Sequence, residues 1–576
     1  MIIEVSSTWP QVAWLLPGAV LYVEMHYRWW PLPSRYFRRE PEILADAPHR
    51  LEPGRPLPLL LLVKDAHRYP LRLDRVEVRL DTDQEQAPSE EFSIGEMLSG
   101  PWWHRIIMLD RPRQSGDVSL WVTFHYTVRG KARSCVNHNL PALRPTPLRV
   151  HLASEPLPGE DVVWGDLHTH TALTDDMIEF GSPLEATRAA ATALGLGFVC
   201  ATDHSYDLDD LPGQWRASDP KLTKWHTSRQ QIAQLNTQEG GALIVPGEEV
   251  SVRNTLDRNI HTLVLGHPHF LPGSGDGGER LSSRRSELDL PGLVQALAGE
   301  STDGNSAEPN ANHPGVAIAA HPYAPVPFAQ WAILNRGLWQ KFDALTPGIS
   351  GLQILNGQLD PGFFHGVAAW IELLLQGHRK FIYAGSDAHG DFNLHRQIRL
   401  LFMSLWERGN HVMGTCRTGV LGAPPGDMNA ILAGLAAGRC IISNGPFINL
   451  TATSNGRTAA IGETLQAREA TVRLELASTE EFGPLAGYRL IRGRVGAADE
   501  ETVVEAPLEG EQLAASWSGT VTVGAGTTYL RGEVESWLPE GRRAGGEAAD
   551  QRGLAMTNPL WLEASNSHVM GPRPVT

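Results

Sequence analysis

The chain is short of cysteine, of long apolar runs and of positive charge, and each shortage removes a class of function. Its four cysteines, Cys135, Cys200, Cys416 and Cys440, are scattered and form no C-x-x-C pair. That leaves neither a disulfide framework nor a thiolate zinc site. No stretch approaches the roughly 18 apolar residues of a membrane-crossing helix. The opening segment, MIIEVSSTWPQVAWLLPGAVLYVEMHYRWW, lacks a basic start and is interrupted by Pro10 and Pro17. It does not read as a secretion signal, so a cytoplasmic protein with no membrane partner is expected. Lys and Arg number 49 against 65 Asp and Glu, a net charge of −16. No nucleic-acid partner is expected, because phosphate backbones are bound mainly through Lys and Arg.

What remains is a globular composition, 42% hydrophobic and 20% charged, in a chain of 576 residues, too long for one core. Three regions differ in rhythm. Residues 1–158 read as an N-terminal β domain, with partly alternating segments such as RLDRVEVRL and VSLWVTFHYTV between Pro and Gly turns. Residues 446–576 read as a C-terminal β domain, with FINLTAT, ATVRLELAS and TYLRGEVES. Between them, over 159–445, seven short apolar runs alternate with helical stretches, the pattern of α/β architecture. The clearest helix is SPLEATRAAATALG, with Ser182 placed as N-cap, Pro183 at the first helical position and Gly195 as C-cap. The G-x-G-x-x-G in GSGDGG, residues 273–278, neither follows a strand nor opens an apolar helix, and reads as a flexible loop.

The polar residues at the ends of the seven runs carry the functional signal. VVWGDLHTH ends in His168 and His170, with Asp175 and Asp176 just beyond; FVCATDHS contains Asp203 and His204. ALIVPGEEVS offers Glu248 and Glu249, NIHTLVLGH offers His261, and GVAIAAHPYA offers His321. GLQILNG ends near Asn356, and KFIYAGSDAH supplies Asp387 and His389. One His-x-His proves little: with 22 histidines about one is expected by chance, and HPH at 267–269 is a second. The ordered set is much harder to obtain by accident. In an extended strand, residues two apart face the same way. Parallel strands closed into a barrel would bring all these ends to one face. Imidazole and carboxylate without thiolate suit Zn, Mn or Fe. The set is too large for one four-coordinate ion. Two or three divalent metal ions are therefore expected.

DLHTHT, ATDHS, PGEEV, IHTLVLG, AAHPYA and GSDAH, in this order over residues 160–395, resemble the PHP (polymerase and histidinol phosphatase) superfamily. AILAGLAAGRCIISNGPFINL and AMTNPLWLE further resemble the CehA/McbA-like metallohydrolases within it. The resemblance implies a distorted seven-stranded β/α barrel of PHP type, flanked by N-terminal and C-terminal β-sandwich-like domains. It also implies a metal set. His168, His170, Glu249 and Asp387 would hold a first ion, with Glu249 bridging to a second completed by His261 and His321. His204, His389 and Asp175 would hold a third. Glu249, Asp387 and His204 would carry catalysis, with Asp203 beside them orienting an imidazole. Arg396, Arg399 and Arg417 lie near or after the last motif; a guanidinium there could clamp a phosphate, but a solvated or structural role is the expected one. The implied activity is metal-dependent hydrolysis of a small-molecule ester, first a phosphoester, with carbamate, ester or amide hydrolysis as the alternative. A reading of another class is a non-catalytic binding protein whose flanking β regions recognise a partner.

Overall fold

The computed structural model describes residues 40–82, 88–110, 115–139, 145–174, 181–212, 214–276, 284–298, 315–326, 328–393, 397–400, 403–406, 411–524, 526–539 and 552–564. The N-terminal region folds into two sheets. One is antiparallel, of Glu42–Asp46, Leu57–Lys64 and Trp102–Leu109; the other centres on Leu71–Thr82 and Gly116–Val128. In Gly116–Val128 the residues alternate between buried and half-exposed along its length, as a strand with one covered face requires. Leu57–Lys64 is buried at every position: helix α1 (Leu184–Leu194) packs against it, and its side chains share one hydrophobic core with those of the second sheet. Pro183 rather than Ser182 stands at the N-cap of α1 and the Ser182 hydroxyl pairs with Thr187 instead; Gly195 does end the helix, at φ 85°.

The seven apolar runs all form strands: β1 (Val162–Thr169), β2 (Phe198–Ala201), β3 (Leu243–Arg253), β4 (Asn259–Leu265), β5 (Val316–Ala319), β6 (Ile349–Asn356) and β7 (Phe381–Gly385). They pair in chain order, but not as a parallel barrel. β1–β2–β3 and β5–β6–β7 are parallel, whereas β4 runs antiparallel to both neighbours. The reason is local. Only five residues, 254–258, join β3 to β4, enough for a hairpin and too few for the crossover that parallel pairing needs. The other edge of β1 pairs antiparallel with β8 (Arg417–Leu421), which continues through β9 (Cys440–Ser443) into Arg552–Thr557 and Thr527–Trp537. All seven runs thus belong to one mixed 16-stranded sheet. The expectation of a seven-stranded β/α barrel between separate sandwiches is corrected accordingly. The described residues form 33 strands and eight helices, a predominantly β chain. Helices α2 (Thr223–Asn236) and α3 (Pro361–Leu375) cover parts of this sheet. No described helix is long and apolar enough to cross a membrane.

A buried ionic node ties the regions together. Arg50, 1% exposed, donates from Nε to Glu481 Oε2 at 2.7 Å and from Nη1 to the carbonyl of Leu194, at the end of α1, at 2.8 Å. Glu52 touches the same guanidinium. Beside it, Arg417 lies over Trp164 and Phe482, joining β8, β1 and the C-terminal region. Removing one member of such a pair leaves a buried charge without its counter-ion. Arg50→Ala is therefore expected to cost roughly 3–5 kcal/mol in urea denaturation. The double variant Arg50→Met with Glu481→Leu should recover most of that loss.

Candidate metal centre

β1 and β7 meet at the end where their histidines and carboxylates emerge. The Asp387 amide donates to the His168 carbonyl and the His170 amide to the Ala388 carbonyl, both at 2.8 Å. Asp166, fully buried, fastens this junction: its carboxylate accepts from Ser386 N and Oγ at 2.8 and 2.6 Å, and from Gly414 N at 2.9 Å. Burial raises its pKa against those hydrogen bonds. Because β4 is antiparallel, His261 reaches the same end from the start of its strand, while Glu249 sits within β3 rather than at its end. His321 and Asp387 adopt left-handed backbone, φ 29° and 57°, which is uncommon for residues with a Cβ and concentrates at functional sites.

Hydrogen bonds to the far side of each ring decide which nitrogen faces inward. The Gln353 amide donates to Asn356 Oδ1 and the Gly385 carbonyl, so its oxygen accepts from His168 Nδ1 at 3.0 Å. Thr174 spends its hydroxyl proton on Asp203 at 2.9 Å and accepts from His170 Nδ1 at 3.3 Å. With both Nδ1 atoms donating, the two rings would, when neutral, present bare Nε2 lone pairs to each other at 3.1 Å. Such a contact is repulsive unless a cation or a proton lies between the nitrogens.

The carboxylates complete the cluster. Glu249 Oε2 lies 3.1 Å from His168 Nε2, 3.3 Å from His170 Nε2 and 3.1 Å from His204 Nδ1, yet it makes no hydrogen bond. Glu249 Oε1 touches His261 Nδ1 and lies 3.1 Å from His321 Nε2. Asp387 Oδ1 lies 3.3 and 3.2 Å from His168 and His170, and its Oδ2 faces Asn356 Nδ2 at 3.3 Å and His411 at 3.5 Å. His389 stacks on His170 with ring centroids 4.1 Å apart and donates from Nδ1 to the Asp387 carbonyl. Burial disfavours the Glu249 carboxylate, but His261, His168 and His204 outweigh it and hold its pKa well below the usual range. Asp387 is likewise lowered, against burial, first by His168. His168 is pushed up to about 9: burial opposes its charge, and Asp387 and Glu249 prevail. A proton there is the metal-free answer to the same crowding. Burial, with His389 and His204, lowers His170.

Three overlapping groups converge closely enough to hold ions: His168, His170, Glu249 and Asp387; His204, Glu249 and His261; and His170, His204 and His389. His321 joins through Glu249. Asp175, expected in the third group, lies outside the described residues, as does Arg396; the side chain of Arg399 is likewise not described. Asp203 meets the cluster through its backbone, its carbonyl accepting from the Glu249 amide at 3.0 Å, while its carboxylate bonds to threonines. That carboxylate accepts from Thr171 N and Oγ1 at 2.7 and 2.8 Å and from both polar groups of Thr174, so it acts on the His170 ring through Thr174. Glu248 faces away from the cluster and accepts from Trp225 Nε1 at 2.8 Å and Leu271 N at 3.2 Å. Burial pushes its pKa up to about 7. Arg417, packed in the ionic node, is no phosphate clamp.

Several residues at the site carried no readable signal: Gln353, Thr174, His411, Arg336 and Asp276. Asp276 belongs to GSGDGG, and the flexible-loop reading fails for residues 273–276. Ser274 and Asp276 are fully buried, and Ser274 donates to Asp209 Oδ2 at 2.9 Å. Burial opposes the Asp276 carboxylate, but Arg336 and His261 hold its pKa down to about 2.

No family model and no curated protein matches the chain. Among solved structures it is similar to a glycosyl hydrolase family 2 member from Bacteroides cellulosilyticus DSM 14838, with 9% identity and TM-score 0.17 over 91% of this chain and 63% of that one. It is also similar to a Parabacteroides merdae β-glucuronidase, with 9% identity and TM-score 0.18 over 91% and 64%. A third is trypsin-activated alpha-2-macroglobulin from Escherichia coli, with 8% identity and TM-score 0.15 over 92% and 24%. The chain spans less than two thirds of each of these proteins. TM-scores this low establish no common fold and carry no functional argument.

Gln353 gives the geometry a direct check. Gln353→Leu removes the acceptor that sets the His168 ring, and loss of such a partner typically weakens metal binding by roughly 10–100-fold. Titration of the metal-free protein with Zn2+ should show that loss, with the circular dichroism spectrum unchanged.

Proposed function

We propose that the chain is a metal-dependent hydrolase of the kind the PHP resemblance implies, acting on a small-molecule ester. The observation that carries this reading is the convergence of His168 Nε2, His170 Nε2 and His204 Nδ1 on one oxygen of Glu249. Their partners on the far side turn two of those nitrogens inward. A donor set of imidazole and carboxylate, with Glu249 offering one oxygen to each side, fits two or three divalent ions. Such ions supply Lewis acidity and neutralise developing negative charge when bound.

The chain's own residues supply the rest. Asn356 and His411 fix Asp387, while Gln353 and Thr174 fix the two β1 histidines. The pocket over the cluster has an apolar wall formed by Ala320, Pro322, Pro325, Val326 and Leu338. That wall would hold the apolar part of a substrate and exclude water from one side. Arg336 is the one Lys or Arg among the described residues lining this pocket. A guanidinium beside the cluster favours an anionic ester over a neutral one, and supports a phosphoester ahead of a carbamate.

Metal-loaded protein is expected to hydrolyse aryl phosphoesters, and His168→Ala with Asp387→Ala to reduce turnover to background while remaining folded. Turnover by that double variant equal to wild type would remove the site. Arg336→Met should raise KM for a phosphoester by roughly 10–100-fold, the value of a lost charged hydrogen bond, and leave KM for a neutral carbamate unchanged. An equal effect on both substrates would remove the preference for an anion.

A further inference from the structure

One fully buried carboxylate beside the cluster remains without a role. Asp276 Oδ2 accepts from His261 Nε2 at 2.9 Å, from Ser251 Oγ at 3.0 Å and from Arg336 Nη2 at 3.2 Å, and its Oδ1 accepts from Asn259 Nδ2 at 3.3 Å. On the opposite side of the same ring, His261 Nδ1 meets Glu249. Both ring nitrogens thus face carboxylates, which only accept; once a cation takes the Nδ1 lone pair, the single N–H of the neutral ring lies on Nε2, where Asp276 accepts it. Nδ1 is directed into the group formed by His204, Glu249 and His261. Arg336 Nη1 also touches Nε2. A guanidinium only donates, so with the proton on Nε2 the acceptor available to Arg336 here is Asp276.

The backbone is shaped for this placement. A Cβ on Gly273 would lie 2.1 Å from Ser205 Oγ, and one on Gly275, at φ 118°, would lie 2.3 Å from the Arg285 carbonyl oxygen. Neither site admits a side chain without movement of its surroundings. The glycines of GSGD therefore let the segment pass close enough to deliver Asp276 to His261.

We propose that Asp276 is the positioning residue of the metal group containing His261, holding the proton on Nε2 so that Nδ1 serves as the donor. This rests on the metallohydrolase reading above. The test uses metal-free, full-length protein titrated with Zn2+ alone, with Co2+ absorption as a second readout. Asp276→Ala is expected to weaken one Zn2+ ion by roughly 10–100-fold and to diminish the visible band of one Co2+ ion, the other ions binding as in wild type. Asp276→Asn, which keeps the shape and one acceptor oxygen, should lose less. A loss confined to one ion's affinity and Co2+ band, with the Tm of the metal-free protein unchanged, is what a merely structural role would not reproduce. Wild-type Zn2+ affinity in both variants would overturn the inference and leave the metal centre standing. So would a fall in the Tm of the metal-free protein with affinity unchanged. A wild-type protein that takes up no Zn2+ or Co2+ would overturn the metallohydrolase reading and this inference with it.

Discussion

The site depends on one constraint: two imidazoles whose Nε2 atoms face each other at 3.1 Å around a shared carboxylate oxygen, a contact that is repulsive when both rings are neutral. Left to themselves, such rings would rotate apart. They are held by Gln353 and Thr174 on their outer nitrogens, and by a backbone that joins β1 to β7 through Asp166 and Ser386. A proton on His168 is one way to relieve the repulsion and a divalent cation is another. Asp387 and Glu249, which raise the pKa of His168, favour the first, and the second is the chemistry proposed.

The same constraint explains the sheet. His168 and Asp387 are more than 200 positions apart, so β1 and β7 must be brought side by side at one end, and the isolated bridge between Thr169 and Ala388 does this. The far edge of β1 is taken by β8, which carries the sheet on into the C-terminal strands. The wall of the site and the C-terminal region are thereby parts of one hydrogen-bonded framework. The ionic node at Arg50 and Glu481 adds the N-terminal region to it. Rigid support of this kind would keep the proposed ligands within the narrow tolerance that metal binding requires.

The order of polar residues along the chain fixed which ones would meet, since His168, His170, His204, Glu249, His261, His321, Asp387 and His389 are legible as ends or interiors of apolar runs. The strands themselves were legible from their runs, and α1 from its helical stretch and Gly195. Strand direction was not: a five-residue connection reverses β4, and only that reversal places His261, near the start of its strand, beside residues from the far ends of others. Chain periodicity is the same for a parallel and an antiparallel strand, so it could not distinguish a closed β/α barrel from a mixed sheet.

Sequence alone determined the donor chemistry, imidazole and carboxylate without thiolate, because that follows from residue type. Tertiary structure decided how those donors are oriented. Gln353, Asp276 and His411 act through contacts with other segments, and Thr174, four residues from His170, is oriented by Asp203 from another strand end; each is an ordinary polar residue in its local context. Which nitrogen of a histidine faces inward depends on what lies behind the ring. That partner is set by packing, which no local pattern encodes.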